Sequence, residues 1–147
     1  MSADEQHWWT LIESSFPSHE RLVAALRALA REELVAFGVH VRECRLLIRE
    51  PWNGPNIPGI GVLSEDSTED FTDWIVSQGE AYWSAANDGD EAHLVACFAL
   101  YDAVRREQDH PRAWQPTPVV SLMGTLFSVW LERFDEDRFH DELDAAM

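Results

Sequence analysis

Five carboxylates, Glu65, Asp66, Glu69, Asp70 and Asp73, fall within ten residues of the segment SEDSTEDFTDWIVSQG, residues 64–79. Such a cluster could hold a cation, run acid–base chemistry, or start a helix. A calcium loop of the EF-hand type requires glycine at its sixth place. Counted from Glu65, the fifth and sixth places are Glu69 and Asp70, and the glycine is missing. Acid–base catalysis by paired carboxylates requires environments that drive their pKa values apart, which adjacent surface acids rarely provide. A helix start accounts for more of the pattern. Ser67 followed by Asp70 resembles a capping box with Asp in place of the usual Glu, and Glu69 and Asp70 would complement the positive end of the helix dipole.

A second constellation is His40 with Cys44 and, on a later segment, His93 with Cys97. Each pair is spaced i, i+4 and shares one face of a helix. Two such pairs on adjacent helices would make a tetrahedral two-Cys, two-His zinc site. The opposing reading is that both cysteines are small buried hydrophobes, since both fall on apolar stripes. The sequence has no H-E-x-x-H and no G-x-S-x-G, and G-I-G at 59–61 lacks the G-K-[ST] of a phosphate loop. No complete catalytic set is present, which points away from an enzyme.

The elements that must position these residues have a helical period throughout. Trp8, Leu11 and Ile12 open a first helix that stops at FPSHE. Ser18 caps a second, with Leu22, Ala25, Leu26 and Leu29 on its stripe, and the phase shifts near Arg31. Leu34, Phe37, Val41, Cys44 and Ile48 form the seam of a third helix. Residues 51–63, PWNGPNIPGIGVL, hold three Pro and three Gly and read as a loop. Its Trp52, Ile57, Ile60, Val62 and Leu63 are expected to pack and keep it ordered. A long helix is predicted over 67–87, with Phe71, Trp74, Ile75, Gln78, Tyr82 and Ala85 on one face. A fifth run carries Leu94, Cys97, Phe98, Tyr101 and Val104. After a second Pro-rich connection (109–118), VVSLMGTLFSVWLERF is apolar nearly all round and reads as the central buried helix. Asp135 would cap a short, frayed tail helix. No alternating strand and no fixed-period repeat is found. The expectation is one all-α domain over 1–147, with six or seven helices.

A chain of 147 residues, 46% hydrophobic with seven Trp, has the composition of a globular domain. No run of about 18 apolar residues suggests a membrane span. The N-terminus opens on acids without a secretory pattern, and two cysteines are too few for a disulfide scaffold. A cytoplasmic setting with reduced thiols follows as the expectation. There are 27 acids against 11 bases, every base is Arg, and residues 51–104 contain ten acids and no base. A net charge of −16 opposes direct binding to nucleic acid or anionic membrane. It suits solubility, and it also suits a face that meets a basic protein, with charge speeding the encounter. Trp8, Trp74 and Trp130 read as core. Trp9, Trp52, Trp83 and Trp114 lie less clearly on core faces, and an exposed Trp beside acids would favour protein recognition.

Beyond these features, HWWTLIE, LRALAREELVAF, Trp52 and SEDSTEDFTDWIVSQG together resemble the bacterial domain-of-unknown-function 4240 family. Its pattern runs F-W-x-L-I, then L-x-x-L-x-x-E-E-I-x-x-F, then a Trp-containing segment. It closes on G-x-S-D-D-x-F-x-x-F-R-x-W-L-I-x-x-G. The resemblance falls on Trp9, Leu11, Ile12, Glu32, Glu33, Leu34, Phe37 and Trp52, then on Ser64, Asp66, Phe71, Trp74, Ile75 and Gly79. It spans roughly the first 85 residues. Thr68 stands where the pattern has Phe, Thr72 where it has Arg, and Glu65 where it has the first Asp. The missing Arg would leave the local acids without one partner. The resemblance implies a helical, intracellular protein and brings no assigned reaction or cofactor.

The expected function is therefore non-catalytic binding of a protein with a basic surface. The contact would use Trp52, Glu65, Asp66, Glu69, Asp70 and Asp73, and the concrete version is an immunity or antitoxin type of inhibitor. The alternatives are a zinc-binding or enzymatic domain using His40, Cys44, His93 and Cys97, and an acidic mimic of DNA.

Overall fold

A computed structural model describes residues 3–49, 56–57, 61–135 and 138–147. The chain is all-α, with eight helices among the described residues where the sequence predicts six or seven. Phe16 and Pro17 end α1 (Ala3–Ser15), because proline cannot continue the donor ladder. The Ser18 side chain then accepts the Arg21 N–H at 3.2 Å and starts α2 (His19–Arg27), as its sequence position predicts. After the phase shift, α3 (Arg31–Arg49) runs for 19 residues and packs against α1 and, as they follow in the chain, four later helices. This helix is the hub.

The next described residues form an antiparallel ladder of two-residue strands, β1 (Asn56–Ile57) and β2 (Gly61–Val62), which the periodicity does not reveal. Trp52 and Ile60 lie outside the described residues. Leu63 is buried as expected, but Val62 is 67% exposed and does not pack.

The predicted 67–87 helix is two helices, α4 (Glu65–Ser77) and α5 (Glu80–Asp88). Gly79 adopts φ 100°, a conformation open to glycine, and turns the chain between them. Lacking a side chain, Gly79 cannot cap α5. Instead Glu13 of α1 accepts the Glu80 N–H at 3.3 Å. The start of α4 also differs from expectation. Ser64, not Ser67, is the cap: its Oγ accepts the Ser67 N–H at 3.1 Å, so Glu65 and Asp66 occupy the first turn.

Asp90 caps α6 (Glu91–Arg106), accepting the His93 N–H. The following Pro-rich connection is strapped to the α1–α2 turn, because Gln115 N–H donates to Pro17 O and His19 N–H to Gln115 O. That strap delivers Trp114 to the core against Phe16. Ser121 caps α7 (Leu122–Phe134). This helix is not apolar all round in effect: Trp130, Leu126 and Leu122 face inward, while Gly124, Ser128 and Leu131 are exposed. The central position belongs to α3. Asp135 does not cap the tail either. It closes α7 in the left-handed region at φ 47°, and α8 (Phe139–Ala146) begins four residues later. Rather than fraying, α8 docks by Phe139 and Leu143 over Gly38, where an added Cβ would come within 2.7 Å of Leu143 Cδ2.

Buried side chains fall into two clusters. One gathers α1, α2, α3, α7 and α8, and the other gathers α4 and α6 with Ile48. Trp83 packs against both and donates its indole N–H to Cys44 O at 2.9 Å.

Candidate functional site

Between α3, α4, the first turn of α7 and α8 lies a cleft of about 450 Å³, and among its lining residues are Arg42, Arg45, Glu69, Asp70, Asp73 and His140. The sequence Phe71–Ser77 places every residue of that stretch of α4 in a buried position, so Asp73 goes inside with its neighbours. The residue is 3% exposed and its carboxylate meets the start of α7: Oδ1 accepts the Leu122 N–H at 2.7 Å and Oδ2 the Met123 N–H at 3.1 Å. These are two of the amides that a helix leaves without internal partners, and negative charge is favoured there. Ser121 accepts a third, from Gly124, at 3.0 Å.

Arg45 faces this cluster from α3, with Nη1 4.0 Å from Asp73 Oδ2 and Nη2 4.0 Å from Glu69 Oε2. Both separations exceed hydrogen-bond length, and the buried Nε–H of Arg45 has no hydrogen-bond partner among the described residues. Burial pushes the Asp73 carboxyl up to about 6, against the opposite pull of Arg45 and the two amides, while Asp70 adds a smaller upward push.

The five acids predicted as one face therefore separate. Asp73 is interior and accepts two first-turn amides of another helix, and Glu69 is half-buried beside Arg45. Glu65, Asp66 and Asp70 are exposed. The expected role of Asp73 on a partner surface is incompatible with its burial. Trp52, the aromatic member of that face, lies outside the described residues. Trp9 and Trp114 are buried and Trp83 is half-buried, so none of these offers a freely exposed indole.

Arg42, Arg45 and His140 are not singled out by the sequence, where charge counted along the chain shows no base between 51 and 104. The signal was present: Arg42 and Arg45 are spaced i, i+3 on α3, and FTDWIVS is an apolar stretch with one charge. Arg45 supplies beside these acids a cation that position 72 does not. Thr72 is buried and returns its hydroxyl to Thr68 O at 2.9 Å, and Thr68 likewise to Ser64 O at 2.8 Å.

The four proposed zinc ligands are not gathered. Cys44 Sγ lies 3.8 Å from His40 Nε2, both buried, with the His40 ring edge-on to Trp9. Cys97 belongs to the other core cluster, against which Tyr82 packs, and the His93 side chain is exposed. Among the described residues no three His, Cys, Asp or Glu side chains are grouped to hold a metal. Burial pushes the Cys44 thiol up to about 12 and lowers His40, so this pair is not an activated thiolate.

The fold and the charge define the class as an acidic, all-α protein with an ionic cleft beside its hub helix. Among the described residues, no helix is long and apolar enough to cross a membrane. The chain belongs to the family described as protein of unknown function DUF4240, whose pattern matches residues 3–114. That match extends past the 85 residues of the resemblance, through α5 and α6, and ends before α8 and before α7, the helix that supplies Leu122 and Met123 to Asp73. No curated protein and no solved structure matches the chain.

Proposed function

We propose that this chain is a non-catalytic, cytoplasmic protein-binding domain whose outward-facing acids engage a partner with a basic surface. An immunity or antitoxin type of inhibitor is the concrete form of this reading. One observation carries it: among the described residues most of the few cations are already engaged within the fold. Arg27, Arg31, Arg42, Arg45, Arg105 and Arg106 lie in ion pairs with this chain's own carboxylates. Arg133 donates to Leu29 O, and Arg112 lies over the Tyr82 ring. With a net charge of −16, the remaining field is negative and extends into solvent, where it accelerates encounter with a basic surface.

The contact surface in this reading is the outer part of α4, Glu65, Asp66 and Asp70, with Asp73 removed from it. The test is a pull-down from a lysate with a salt series, comparing the native chain with Glu65→Arg/Asp66→Arg/Asp70→Arg. Captured proteins should be basic, should release as salt rises, and should be lost with the triple reversal. Capture that is indifferent to both salt and reversal contradicts the reading.

A further inference from the structure

We propose that Asp73 is a proton-linked joint: gain or loss of one proton on its carboxyl changes how the first turn of α7 is held to α4, and with it one wall of the cleft. The argument begins with hydrogen-bond capacity. An ionised carboxylate accepts on both oxygens, whereas a protonated one carries an O–H donor. The groups bonded to or paired with Asp73 are donors: the Leu122 and Met123 N–H and the Arg45 guanidinium. A hydroxyl placed among them finds no acceptor there, so it must turn away, and one of the two amides weakens or loses its bond.

The surroundings set where the exchange falls. From α3, Arg45 favours the charged form, with Arg42 further along the same cleft wall. On α4 itself, Asp70 opposes the charge, and Glu69 shares Arg45 with Asp73. From α6, Tyr101 feels the Asp73 charge; from α8, His140 lines the cleft. Burial is the largest influence and brings the exchange to about pH 6. Asp73 also lines the cleft, which gives its carboxyl a route to solvent protons.

The direct test is NMR of the intact chain between pH 8 and pH 4, following the Asp73 carboxyl carbon and the Leu122 and Met123 amides. The expected result is a carboxyl midpoint near 6, with both amides moving at the same midpoint. Those amide shifts should persist in His140→Gln and disappear in Asp73→Asn. A carboxyl that titrates in the ordinary carboxylate range overturns the proposal. So do amides that stay still while the carboxyl titrates, or that follow His140 instead. Should Asp73→Asn fail to fold, the carboxyl titration of the native chain and of His140→Gln decides the matter alone.

Discussion

The two ends of α4 use the same residue type for opposite purposes. At its outer end Ser64 closes the helix, and Glu65, Asp66 and Asp70 stand in solvent. Seven residues past Asp66, Asp73 is buried and closes a different helix. At the outer end water solvates the exposed carboxylates. At the inner end a carboxylate is tolerable because two amides and a guanidinium replace that water, and even so burial raises its pKa. Carboxylate capping from a distance recurs at Glu13, which starts α5 where Gly79 cannot. Part of this chain's acidity therefore builds the fold, and part remains outside it.

The largest expected effect that sharpens this contrast is Asp73→Ala. It strands two buried amides at the start of α7 and should cost about 3 kcal/mol in urea unfolding, the scale for unsatisfied buried donors. The same residue gives the contrast a pH signature. Because its folded pKa of about 6 exceeds the ordinary 3.8, its contribution to stability is fully present below the unfolded value and is lost as pH rises through about 6. The native chain should thus gain stability from this group as pH falls from 7 toward 4. Asp73→Asn should lose that portion of the slope, which paired urea curves at several pH values would reveal.

A smaller loss is expected from Arg45→Gln. Removing the guanidinium leaves the buried charge less compensated, at about 1–2 kcal/mol, below the figure for a tight buried pair because the ions stand 4.0 Å apart. The Asp73 midpoint should rise in the same variant. At the outer end, Ser64→Ala should cost about 1 kcal/mol, the usual value of a helix cap. Least of all, the triple reversal of Glu65, Asp66 and Asp70 should leave the midpoint of unfolding nearly unchanged, as surface substitutions do. A large loss there would break the contrast, since it would make the outer acids structural as well.

Sequence reading was reliable where a local signal decides the structure. Ser18 caps α2 and the phase shift at Arg31 separates α2 from α3, both through neighbours a few residues away. The break at Gly79 was hidden because the apolar stripe runs on from Trp74 to Tyr82, and those two rings still meet edge-on at 5.5 Å across the turn. Ser64 and Ser67 both suit a cap, and propensity does not choose between them. Asp73 was harder: its partners, Leu122 and Met123, are 49 and 50 residues away and are backbone groups that sequence does not distinguish. The base-free stretch 51–104 was equally incomplete as a guide to local field, since Arg45 reaches α4 from an earlier helix. Charge counted along the chain is not charge counted in space.

The division of α4 into an interior and an exterior set of acids is tested most directly by unfolding Asp73→Ala and Asp70→Ala side by side in urea at pH 7. The two positions share a helix and are one turn apart. The structure predicts a loss of about 3 kcal/mol for the first and no loss for the second, with at most a small gain as the push of Asp70 on the Asp73 charge is removed. Equal losses, or a larger loss at Asp70, would contradict it.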